Sequence, residues 1–102
     1  MELYTVITTE KKIAITYIVN LETFAKEEEA LKYYQIKKEL LDAECCEYMK
    51  EHLGLSVMPQ IDELSLVWSA EEQRDDLPYY NLSYKGNDYR LYIIKHNLMR
   101  IE

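Results

Sequence analysis

The stretch KEEEALKYYQIKKELLDAECCEYMKEHL, residues 26–53, decides how the rest of the chain is read. It contains neither Pro nor Gly, so nothing in it interrupts an α-helix. At about 100° per residue, Ala30, Tyr34, Leu41, Cys45 and Tyr48 fall within roughly 60° of one another, with Leu31 and Met49 beside them, as a core-facing stripe requires. Glu28, Glu29, Lys32, Glu39, Asp42, Glu47 and Lys50 lie away from the centre of that stripe. One amphipathic helix of about seven turns is expected. Glu27, Glu28 and Glu29 suit the positive end of its dipole, and Gly54 after Lys50 and His52 suits its C-terminal cap.

On the N-terminal side, Leu3 to Thr9 and Ile13 to Leu21 are rich in Val, Ile, Thr and Tyr, and the polar Glu10-Lys11-Lys12 separates them, the pattern of an antiparallel hairpin. A three-residue loop pairing Thr9 with Ile13 puts Leu3, Ile7, Ile13, Ile15, Tyr17 and Val19 on one side. Tyr4, Val6, Thr8, Ala14, Thr16 and Ile18 then share the other. Both sides are apolar, so this hairpin is expected to be central in its sheet or to cover a partner surface.

On the C-terminal side, residues 55–60 form a connector containing Pro59. Ile61 to Ser69 then alternates Leu64, Leu66 and Trp68 against Glu63, Ser65, Val67 and Ser69, which predicts a strand. SAEEQRDDLP carries five charges and reads as an exposed loop. In YYNLSYKGNDYRLYII, Gly86-Asn87 has the residue types of a two-residue hairpin turn. Pairing Lys85 with Asp88 puts Tyr80, Leu82, Tyr84, Tyr89, Leu91 and Ile93 on one apolar face. Tyr79, Asn81, Ser83, Arg90, Tyr92 and Ile94 take the other. The fold class that follows is α+β: an antiparallel sheet in the order β-β-α-β-β-β with one long amphipathic helix packed across one face, residues 1–102 forming a single domain.

Composition narrows the function classes. The net charge is −7, and the deficit lies in the middle of the chain, since residues 1–21 are neutral and residues 79–102 are mildly basic. An acidic middle cannot neutralise a run of phosphates, so direct nucleic-acid binding and anionic membranes are disfavoured. Lys85-Gly86-Asn87-Asp88-Tyr89-Arg90-Leu91-Tyr92 resembles an RNA-recognition strand only in part, because the turn consumes its Gly, Asn87 stands where an aromatic belongs and the whole chain is acidic. No apolar run approaches a bilayer span, and the N-terminal residues lack the basic-then-apolar order of a signal peptide, so a cytoplasmic protein is expected. Adjacent Cys45 and Cys46 diverge on a helix and fit free thiols in a reducing compartment.

Residues with catalytic chemistry are scattered. Cys45 and His52 share a helical face but stand about 10 Å apart along the axis, too far for proton transfer. Two Cys and two distant His do not have zinc-site spacing, the carboxylates lack a calcium-loop pattern, and two glycines cannot build a phosphate loop, so no metal and no cofactor is expected. The expectation is a non-catalytic protein–protein interaction module. Ten Tyr supply contact area, and acidic residues steer a protein partner with a basic surface. Glu71, Glu72, Asp75, Asp76, Tyr79 and Tyr92 are the candidate contact residues. A specific form is a small acidic inhibitor that mimics nucleic-acid charge toward a nucleic-acid-handling enzyme, as small phage-encoded anti-defence proteins do. The alternatives are a small-ligand-binding or enzymatic domain, with a pocket between helix and sheet lined by Tyr34, Cys45, Tyr48 and Trp68, and a self-assembling homo-oligomeric subunit.

Overall fold

The structure, a computed structural model, describes residues 2–52, 67–84 and 86–97. Its elements are β1 (Glu2–Lys12), β2 (Ile15–Phe24), α1 (Glu27–His52), β3 (Val67–Arg74), β4 (Leu77–Tyr84) and β5 (Asn87–Asn97). The five strands form one antiparallel sheet in the order β2-β1-β5-β4-β3. The N-terminal strand is central: β1 pairs with β2 on one side and, along its whole length, with β5 on the other. That position explains why Tyr4, Thr5, Val6, Thr8 and Thr9 are all buried although they alternate between faces.

α1 lies across one face, against β1 and β5, and touches β2 and β4. The stripe read from the sequence is the packed one: Ala30, Tyr34, Leu41 and Cys45 are buried, with Tyr48 and Met49 partly so, whereas Leu31 is exposed. They meet Tyr4, Val6, Tyr80, Leu82, Tyr84, Leu91 and Ile93 in one core. Val6 and Leu91 are fully enclosed, and burying such side chains contributes about 1.5 to 3 kcal/mol each. The helix begins where the backbone N–H of Ala30 donates to the Lys26 carbonyl, 3.2 Å away, close to the expected start. The expected Gly54 cap, the 55–60 connector and the first part of the expected Ile61 to Ser69 strand lie outside the described residues.

Three local expectations are corrected. First, Lys11 and Lys12 extend β1 rather than forming a loop, and the turn is Ile13-Ala14, with Lys12 opposite Ile15. Pairing on both edges of β1, where Lys11 and Lys12 also face Asp88 and Asn87, outweighs their polarity. A bulge at Thr8/Thr9 then shifts the register. The two-residue turn puts Ile15 and Tyr17 on the side of Tyr4 and Val6, opposite to the expected arrangement, and the bulge puts Asn20 and Glu22 on that side beyond it. Second, residues 70–74 of the expected loop are strand, because Asp75 and Asp76 take positive φ (52° and 63°) and close a tight hairpin onto β4. Asp is among the few residue types that tolerate this conformation. Third, the β4–β5 turn is centred one position earlier than expected, since Tyr84 faces Asn87 and Asp88 faces Ser83 rather than Lys85. That register differs by two residues, an even number, so every residue of the two strands keeps its expected face.

Candidate interaction surface

The six expected contact residues cluster at the β3–β4 side of the sheet, but most are engaged within the molecule. The Tyr34 hydroxyl donates to the Glu71 carboxylate at 2.6 Å, and the Lys38 ammonium stands 3.0 Å from the same oxygen. These contacts hold the Glu71 carboxyl below its ordinary range, with the Tyr34 hydrogen bond as the largest cause. Glu72 accepts from the Arg74 Nε at 2.7 Å, and the Arg74 guanidinium lies 3.7 Å above the Tyr79 ring. Tyr79 stacks on Tyr92 with ring centroids 4.9 Å apart and is only 9% exposed. The pair sits on the sheet face that α1 does not cover. Asp75 and Asp76 project at the hairpin tip and are exposed.

Beneath α1, the seam toward β3 and β4 is a set of phenols and carboxylates. The Tyr80 hydroxyl donates to Asp42 and the Lys38 ammonium lies 5.0 Å from the Tyr80 ring centroid. Burial, reinforced by the neighbouring carboxylates, raises the phenols of Tyr34 and Tyr80 far above the usual range. Burial first, and then Tyr89, does the same to Tyr84. These phenols stay un-ionised well above neutral pH. The Cys45 thiol is buried and pushed up to about 11, chiefly by desolvation, so it is a packing group; Cys46 is exposed. His96 shares a 2.8 Å hydrogen bond with Thr5, which shares another of 2.9 Å with Thr23, a lateral tie across three strands. Among the described residues no three metal-ligating side chains converge, and no helix is long and apolar enough to cross a membrane.

A further exposed surface is β2, in the hairpin whose two apolar sides pointed to a central place or a covered partner surface, although none of its residues is among the six contact candidates. It is an edge strand, yet Ile15, Tyr17, Ile18, Val19 and Leu21 are all exposed, Ile18 by 65%. Glu22 is its only charged residue. On the adjoining shoulder of α1, Leu40 and, one turn earlier, Ile36 are exposed as well. A cleft of about 310 Å³ separates that shoulder from β2, lined by Thr8, Glu10, Val19, Asn20, Lys37, Leu40, Leu41, Glu44 and Tyr89. The Thr8 hydroxyl at this position is buried and has no hydrogen-bond partner. The expected pocket residues are elsewhere: Tyr34 and Cys45 are core, Tyr48 packs 5.5 Å from the Tyr84 ring, and Trp68 is exposed. The signal in the sequence was the apolar character of ITYIVNL on both faces. A strand with one neighbour and no helix over its outer half leaves much of that surface in solvent.

The two sheet edges differ in a way that bears on function. β3 carries Glu71, Glu72 and Arg74 along its outer half, the charged dressing that keeps an edge from pairing with another chain. β2 has no such dressing over the seven residues from Ile15 to Leu21. No protein-family model matches this chain, and neither a curated protein nor a solved structure is significantly similar to it.

Proposed function

We propose that this chain is a non-catalytic protein-interaction module that docks through the β2 edge and the Ile36–Leu40 shoulder of α1. The observation that carries this reading is the run of five exposed apolar side chains on an uncovered edge strand. Water must be excluded from such a run to recover its free energy, and an edge strand offers a row of main-chain donors and acceptors to whatever excludes it. The engagement of the phenols with carboxylates and the buried, protonated thiol support a non-catalytic role. Glu22, Glu27, Glu28 and Glu29, at one end of the edge, support a partner that presents basic side chains there. The stricter form, mimicry of nucleic-acid charge by Glu71, Glu72, Asp75 and Asp76, draws less support, because Glu71 and Glu72 are held by Lys38 and Arg74. A second reading, a small polar ligand in the cleft beside β2, is favoured by the unpartnered Thr8 hydroxyl.

The test is capture of binding partners by the wild-type chain and by Ile18→Lys, at low and high salt. Loss of a captured protein on Ile18→Lys at both salt concentrations supports docking through the edge. Capture that is indifferent to Ile18→Lys and abolished by salt moves the contact to the carboxylates and rejects it.

A further inference from the structure

We infer that the occupant of the β2 edge is a second copy of this chain, the two β2 strands pairing antiparallel about a two-fold axis to extend the sheet from five strands to ten. The inference rests on the reading of β2 as the docking edge and adds the identity of the partner. An isologous contact needs a patch that complements itself, and an apolar strand flanked by an apolar helix shoulder does so without a second surface type.

The bulge selects the register. Before it, Ile15 and Tyr17 face the α1 side; beyond it, Asn20 and Glu22 do, because Asn20 is opposite Thr8 and Ile18 opposite Thr9. Pairing that keeps like faces together therefore sets Ile15 opposite Glu22 of the other copy, Thr16 opposite Leu21 and Tyr17 opposite Asn20. The two-fold axis then passes between Ile18 and Val19, and both α1 helices lie on the same side of the joined sheet. Slipping the pairing by two residues toward Phe24 also keeps the faces, but it sets Glu22 in the row of Glu10 on the other copy. In the first register Glu22 shares a row with Lys12 instead, since Lys12 is opposite Ile15.

Charge and area both permit the contact. The chain is strongly acidic as a whole, but residues 1–21 are neutral, so self-repulsion is least along this edge. The two copies of Glu22 stand about 23 Å apart along the strands, beyond the screening length at physiological salt. The exposed side chains of β2 with Ile36 and Leu40 amount to on the order of 700 Å² per copy, so a dimer covering most of them buries about 1,200 Å² in total, the lower bound of a stable interface.

The experiment is the solution mass of the full chain by light scattering at about 100 μM, a concentration that populates even a weak homodimer, together with amide hydrogen exchange along β2. The wild-type chain is expected at twice its 12.2 kDa, and Ile18→Lys and Val19→Lys at the single mass with unchanged circular dichroism. Amides of β2 are expected to exchange at least ten-fold faster in those variants than in the wild type. A wild-type mass of 12.2 kDa, a variant that stays dimeric, or β2 exchange equal in all three overturns the second copy as occupant. A monomeric wild type whose capture of another protein is lost on Ile18→Lys overturns this inference and leaves the docking edge standing. A monomeric wild type whose capture is indifferent to Ile18→Lys overturns both.

Discussion

Tyr34, Tyr80 and Tyr84 show how single residues tie the helix to the sheet, and their ionisation makes the tie measurable. Each phenol is raised above its ordinary value of about 10 in the folded chain, with burial as the largest cause. Below pH 10 the phenols are neutral whether folded or unfolded, so their contribution is fully present. As pH rises past that value the unfolded chain loses protons that the folded chain keeps, and stability is lost at about 1.4 kcal/mol per pH unit per phenol, or roughly 4 for the three. Urea unfolding followed from pH 9 to 11 should show this loss together with that of the buried Cys45 thiol, raised to about 11, and Tyr34→Phe should remove about a quarter of the total. A slope unchanged by Tyr34→Phe would mean the phenol is accessible. Glu71 acts in the opposite direction: its carboxyl is lowered, so its contribution is present at neutral pH and is lost as pH falls through the folded value. The thiols give a second prediction at this scale. Cys46 should react with a disulfide reagent at the rate of an exposed cysteine, while Cys45 should stay silent until the chain unfolds; two fast thiols would contradict the packing of Cys45 in the core. The excess of tyrosine was plain in the sequence, but its partners were not. Tyr34 reaches Glu71 and Tyr80 reaches Asp42 across 37 and 38 residues, separations that no local pattern encodes.

At the scale of elements, periodicity was a good guide wherever one face met one environment. The α1 stripe and the two faces of β4 and β5 follow their patterns, and the faces survive a two-residue difference in register because strand periodicity is two. Reading failed where pairing on both sides of a strand overrode local polarity, as at Lys11-Lys12 and along residues 70–74. It failed also at turns that lack the usual Gly. Ile13 adopts φ 57° with 96% of its surface exposed, so it bears the cost of left-handed backbone, about 1 to 2 kcal/mol for an L-residue, with no packing to offset it. Ile13→Asn should therefore raise the free energy of unfolding by about 1 kcal/mol, read as a higher urea midpoint with an unchanged denaturant slope. Gly86→Ala should do the reverse. Its φ is +76° and an added Cβ would meet nothing within 4 Å, so the loss, about 1 kcal/mol, comes from the backbone alone. A neutral outcome for both would mean that these turns relax freely and do not fix the registers of their hairpins.

For the whole molecule, the contrast that matters is between an acidic body and a neutral apolar edge. At pH 7 the charge of −7 keeps copies apart everywhere except along β2, so association there is limited to the contact the edge geometry allows. Near the isoelectric point of about 4.8 that restraint disappears, while the exposed apolar run on β2 is unchanged. Solubility should pass through a minimum near this pH, where no net charge opposes contact between the apolar side chains of β2 that edge pairing leaves on the faces of the sheet. Two substitutions separate edge from charge. Ile18→Lys and Trp68→Lys each add one positive charge at a strongly exposed position, the first on bare β2 and the second on charge-dressed β3. If the edge drives association, Ile18→Lys should raise solubility at pH 4.8 several-fold and Trp68→Lys should leave it nearly unchanged. Equal effects would show that net charge alone governs the minimum, and β2 would lose its distinction from the other edge.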